Sequence, residues 1–168
     1  MPINPLRWPI RLQFLLGALI CAALLGYALY VQYQMYLEPC PLCIFQRVAF
    51  MVMGLGFLAG AVHGPRGRLG RSVYASLAGL GAIAGIVIAG RHLWLQSLPA
   101  DEVPACGPGL AYLLDAFPLS DVLTKVFAGS GECAKVDWTF AGLSMPAWTL
   151  IWFVLLGLWG FAVALRRA

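Results

Sequence analysis

The sequence predicts an all-α membrane protein: a four-helix transmembrane bundle with two outward loops, the second long. Three observations predict it. Only 11% of the 168 residues are charged and 61% are hydrophobic, whereas a soluble domain carries about 25% charged residues. Mean hydropathy is +0.83. The charges are also bunched, leaving uncharged runs of 26 residues between Arg11 and Glu38, 19 between Arg71 and Arg91, and 28 from Trp138 to Leu165. Each run can supply the ~20 residues that cross a bilayer as a helix, the form in which a span satisfies its own backbone.

The first span is read over residues 12–33. Its apolar run is far longer than the roughly 7–15 residues of a signal-peptide core, and three more spans follow, so it is expected to be retained. The second is read over residues 43–62. Only residues 48–62 are free of charge and histidine, so a full crossing places Arg47 one turn inside the span. The third covers residues 72–90 and the fourth residues 146–165, with Ser144 as its expected N-cap and Pro146 in its first turn. The whole chain thus reads as one transmembrane domain, with outward loops at 34–42 and 91–145.

Basic residues set the orientation. Arg7, Arg11, Arg66, Arg68, Arg71, Arg166 and Arg167 are seven of the eleven Lys and Arg, and they flank the spans on one side. That bias puts both termini and the short middle loop in the cytoplasm. The net charge of +4 is accounted for by these membrane anchors, and no nucleic-acid partner is needed to explain it. Cysteines follow the same division. Cys40, Cys43, Cys106 and Cys133 lie at or beyond the outer face, none falls in a cytoplasmic loop, and Cys21 is mid-span, where it reads as a small apolar residue. An oxidising compartment outside would give this pattern.

Cys40-Pro41-Leu42-Cys43 spans one helical turn where the second span begins, so its sulfurs can form and break a disulfide with little backbone movement. The unpaired amides and dipole of a helix start favour a thiolate. Arg47, four residues beyond Cys43, shares its face and adds a fixed cation. An intramembrane charge is a functional candidate by default. The competing reading is a snorkelling arginine beside an inert staple. Cys106 and Cys133 are 26 residues apart in the gap between them, so the four cysteines lack the two close-spaced pairs usual for structural zinc, and no metal site is expected. A structural loop disulfide and a thiol relay both remain open for them.

In the second loop, Leu110, Leu113, Leu114 and Phe117, then Leu119, Val122, Leu123, Val126 and Phe127, recur at helical spacing around Pro118. They predict two short helices, laid either on the membrane or on protein. Gly56 and Gly60, Ala78 and Ala82, and Gly81 and Gly85 give the small-residue spacing of close-packed membrane helices. Trp94, Trp138 and Trp148 suit the outer interface.

The run Pro39-Cys40-Pro41-Leu42-Cys43-Ile44-Phe45-Gln46-Arg47 resembles the signature of the DsbB family, in which Cys-x-x-Cys is followed four residues later by arginine. Gly129-Ser130-Gly131-Glu132-Cys133-Ala134, the stretch from Trp138 to Trp148, and Arg91-His92-Leu93-Trp94-Leu95-Gln96 are similar to the family's later segments, in the same order. The resemblance implies a bacterial inner-membrane thiol oxidase. Its partner would be a periplasmic DsbA-type thiol-disulfide oxidase, and its electron acceptor ubiquinone or menaquinone from the membrane quinone pool. It further implies that Cys106 meets the partner, that Cys133 pairs transiently with Cys40, and that Cys43 faces the quinone with Arg47 polarising a quinone oxygen. His92 is expected to contribute to the quinone site, with a solvated or helix-capping imidazole as the alternative. Gln46 departs from the acid that many relatives carry there. A vitamin K epoxide reductase-like arrangement fits less well, because its close cysteine pair belongs to the last core helix, whereas Cys40 and Cys43 open the second span.

Overall fold

In the computed structural model, residues 8–99, 101–105 and 110–166 are described, apart from the side chain of Ala111. Four long helices dominate: α1 (Ile10–Gln34), α2 (Pro41–His63), α3 (Arg68–Gln96) and, last in the chain, α7 (Met145–Leu165). All four are long and apolar enough to cross a membrane. Between α3 and α7 lie α4 (Leu110–Ala116), α5 (Leu119–Ala128), α6 (Gly131–Ala134) and the strands β1 (Thr139–Phe140) and β2 (Leu143–Ser144). The described chain is thus an all-α four-helix membrane protein, as its composition predicts.

Helix ends follow local chemistry. Cys40 is the N-cap of α2, its sulfur accepts from the Cys43 amide at 3.4 Å, and Pro41 occupies the first turn. Pro41 has no amide hydrogen to leave unpaired there. Gly64 closes α2 in the left-handed region at φ 61°, a conformation that suits a residue without a Cβ. Ser144 is the N-cap residue of α7, but its hydroxyl donates to Gln96 Oε1 at 2.8 Å instead of capping an amide. The expected cap is therefore a tether between α3 and α7.

Consecutive helices pack as α1 on α2, α2 on α3, and α3 on α7. The small-residue spacing accounts for the α2–α3 contact. A Cβ at Gly56 would stand 2.7 Å from the Ala78 amide nitrogen, and one at Gly81 would stand 2.7 Å from that of Met53. Backbone meets backbone there, which side chains would prevent. Phe14, Phe57 and Met53 fill the middle of the bundle, and Phe50 stacks on Phe153 at 3.9 Å between centroids. Cys21 is buried in this apolar core, as expected.

α3 has 29 residues and so runs roughly 43 Å, well beyond the ~30 Å of hydrocarbon. It extends six residues past the expected end of its span, which puts Arg91, His92 and Gln96 on helix. The predicted loop helices form as α4 and α5. Leu113, Val122 and Val126 turn inward onto a second core cluster with Cys40, Leu42, Ile88, Leu95 and Cys133, while Leu114, Leu119, Leu123 and Phe127 stay exposed. The stripe thus serves protein packing on one side and presents apolar groups on the other. The hairpin of β1 and β2 turns through Ala141 (φ 50°) and Gly142 (φ 78°). Two positive φ values are what a tight hairpin turn requires.

Candidate functional site

Cys40 and Cys43 sit at the first turn of α2 with their sulfurs 3.2 Å apart. One helical turn separates the residues, so the pair is poised at nearly bonding geometry. Cys40 is buried and Cys43 half-buried. Cys133, from α6, is fully buried in the same cluster. The hydrogen bond with Cys40 pushes the Cys133 thiol well above the ordinary range, and burial adds to this; the Leu42 amide and the Ser130 hydroxyl oppose it more weakly. A thiol beside another sulfur in an apolar enclosure holds its proton because two neighbouring anions there are costly. The second loop thereby delivers a sulfur to the Cys-x-x-Cys turn, although 89 residues lie between Cys43 and Cys133 in the sequence.

Cys106 lies outside the described residues. Its neighbour in sequence, Ala105, accepts a backbone hydrogen bond from Gly131 at 3.3 Å, two residues before Cys133. α5 is fastened to α3 by Arg91, whose guanidinium donates to the carbonyls of Phe127 and Ala128 at 2.9 Å each and lies 4.0 Å from the Trp94 ring centroid. A cation at a helix C-terminus satisfies carbonyls that have no helical partner.

Arg47 does not extend to the surface alone. It donates to Gln32 Oε1 and to the Ala28 carbonyl, the latter at 3.1 Å, so α1 holds the guanidinium in place. Both of these acceptors are neutral. His92 is buried rather than solvated: Nδ1 lies 3.2 Å from Gln46 Nε2, and Nε2 lies 3.8 Å from Cys40 Sγ. Gln46 is likewise buried, and its Oε1 accepts from the Thr149 hydroxyl at 2.8 Å. Gln32 and Thr149 were not singled out in the sequence, because one polar residue inside an apolar run carries no signal until its partner is known.

Apart from Gln32, these residues line one cavity of about 510 Å³ at the end of the bundle where α2 begins, within the range of small-molecule sites. Cys43, Arg47, His92 and Gln46 are among its polar lining groups, together with Glu38, Glu132, Lys135 and Asp137, and Leu24, Phe50 and Trp152 are among its apolar walls. Cys40, Cys43 and His92 also bring three possible metal-ligand atoms within 4.8 Å of one another. Two thiolates on one tetrahedral zinc, at bonds of about 2.3 Å, would stand roughly 3.8 Å apart, whereas these sulfurs are 3.2 Å apart. The two sulfurs are near enough to join as a disulfide with little backbone movement.

The family model described as "Disulfide bond formation protein DsbB" matches residues 10–163. Among curated relatives, Disulfide bond formation protein B of Xanthomonas campestris pv. campestris is 53% identical over 98% of this chain and 96% of its own length. That of Hahella chejuensis is 54% identical over 90% and 92%. The protein of the same name from Chromohalobacter salexigens is 51% identical over 88% and 86%. With a sulfur pair at the mouth of a membrane cavity and relatives of this likeness along its length, the chain belongs to the DsbB family of membrane oxidoreductases that form disulfide bonds.

Proposed function

We propose that the chain reoxidises a periplasmic DsbA-type thiol-disulfide oxidase and passes the electron pair to ubiquinone or menaquinone from the membrane quinone pool. The observation that carries this reading is the shared cavity of Cys43 and Arg47, beside a Cys40 sulfur 3.2 Å from that of Cys43. Apolar walls with the Arg47 guanidinium and the Cys43 thiol among the lining groups suit a flat, apolar head group bearing carbonyl oxygens. The quinone supplies, when bound, a two-electron acceptor stronger than a DsbA-type disulfide near −120 mV.

The residues of the chain would act in sequence. A partner thiolate attacks Cys106 of a Cys106–Cys133 disulfide; that bond breaks, and the Cys133 sulfur takes the electron pair. A second partner thiolate then attacks the mixed disulfide, so the partner leaves oxidised and Cys106 is released. Cys133 attacks Cys40, opening the Cys40–Cys43 bond and leaving Cys43 as the thiolate in the cavity. Arg47 stabilises that anion and orients the acceptor's oxygen in a water-poor site. Cys106 then attacks Cys133, which restores the loop disulfide and frees Cys40 to close again on Cys43 as the electron pair departs. In this reading the site lies on the periplasmic side of a bacterial inner membrane, with both termini cytoplasmic, an orientation that the distribution of basic residues supports.

Purified protein, given a reduced DsbA-type oxidase and a soluble quinone analogue, should form quinol and oxidised partner in equal amounts. Cys106→Ser should abolish partner oxidation. Normal partner oxidation by that variant, or quinol formation that persists without Cys43, would contradict the assignment.

A further inference from the structure

The polar chain behind Cys40 runs through three helices: Thr149 on α7, Gln46 on α2 and His92 on α3. Each link is a side-chain contact between distant parts of the sequence, and both Gln46 and His92 are almost completely buried. Buried polar groups of this kind are costly unless every partner is defined. The amide as it is placed gives the chain a direction. The Thr149 hydroxyl has two acceptors in reach, Gln46 Oε1 at 2.8 Å and the Pro146 carbonyl at 2.9 Å. With Oε1 taken up by the hydroxyl, the amide turns its Nε2 toward His92. A Gln Nε2 can only donate, so His92 Nδ1 accepts, and the imidazole carries its proton on Nε2. That nitrogen faces Cys40 Sγ at 3.8 Å.

We propose that Gln46 and Thr149 are positioning residues that hold His92 with its Nε2–H on the Cys40 sulfur. The consequence lies in the return half of the cycle and rests on the relay proposed above. When Cys106 attacks Cys133, the Cys106–Cys133 bond forms, the Cys40–Cys133 bond breaks, and the electron pair passes to the Cys40 sulfur. The Nε2–H donates a hydrogen bond to that departing anion, and no proton changes hands. Arg47 is turned toward α1 and lines the cavity with Cys43, whereas the imidazole reaches the Cys40 sulfur. The amide is essential to this arrangement. A carboxylate at position 46 could only accept, and would call for a proton on Nδ1 instead.

The test needs neither quinone nor partner, so its outcome is independent of the electron acceptor. The full chain carrying His63→Gln has a single histidine, and imidazole nitrogen-15 shifts in the reduced protein report its tautomer directly. The proposal expects Nε2 protonated and Nδ1 bare. Thr149→Val, nearly the same shape, should populate both tautomers. It should also slow alkylation of Cys40 at neutral pH by roughly tenfold, read in a chain whose other cysteines are serine, and Thr149→Ser should restore both signals. A proton on Nδ1 in the parent overturns the proposal, as does a valine variant indistinguishable from threonine in both readouts. If the valine variant fails to fold, the tautomer of the parent still decides.

Discussion

Arg47 donates to the backbone carbonyl of Ala28 at 3.1 Å, so a cation borne on α2 is held at the cavity by α1. A main-chain acceptor cannot be deleted by mutation and brings no negative charge. This contact therefore positions the guanidinium without neutralising it, and leaves it able to stabilise an anion in the cavity. Arg47→Ala should raise the apparent quinone KM by about tenfold or more, because a charge-assisted contact is lost. Exchange among the loop cysteines should continue. Lysine should restore only part of the loss, since its single ammonium cannot reach two acceptors in a fixed fork. Steady-state kinetics with varied quinone check both statements.

Arg91 joins α3 to the end of α5 through two carbonyls. Arg91→Ala leaves those groups without this donor and loosens the segment that carries Cys133. Amide hydrogen exchange over residues 119–134 should accelerate roughly tenfold, while the centres of α2 and α3 remain protected. Uniform exchange rates in the two proteins would show that α5 is held by its apolar face alone.

Cys133 holds its proton more tightly than an ordinary thiol, through Cys40 first and burial second. An acidic group whose value is raised by folding stabilises the folded state while it stays protonated. For the reduced protein that contribution is complete below the usual thiol range, near pH 8.5, and is lost as pH rises through and beyond it. The pH midpoint for Cys133 alkylation should therefore lie above the ordinary one and should fall in Cys40→Ala. An unchanged midpoint in that variant would separate the two sulfurs.

Gly81 lets α3 approach the backbone of α2 at Met53. Gly81→Val should cost about 1–3 kcal/mol by overpacking or force the helices apart. A lowered unfolding midpoint in detergent is the expected reading.

The four spans were legible because a bilayer imposes length and composition on every crossing helix. Their outer ends were less so. α3 continues to Gln96 because Arg91, His92 and Gln96 each find a protein partner on the helix, and such partners lie far away in sequence. The Cys-x-x-Cys turn and Arg47 could be read from spacing alone. The placement of Cys133 against Cys40, the burial of His92, and the roles of Gln32 and Thr149 could not, since each depends on how three or four helices meet. Ser144 shows the same limit: its position predicted a cap, while Gln96, 48 residues away, takes the hydroxyl.

The most direct measurement is a single turnover without any partner. Protein carrying Cys106→Ser and Cys133→Ser, reduced and freed of reductant, retains the Cys40–Cys43 pair as its only close thiol pair. Mixed anaerobically with a quinone analogue, it should yield one quinol per chain and a Cys40–Cys43 disulfide, and Cys43→Ser should yield neither. Absence of quinol from the intact pair, with the protein folded and its thiols reactive, would contradict electron transfer from Cys43 into the cavity.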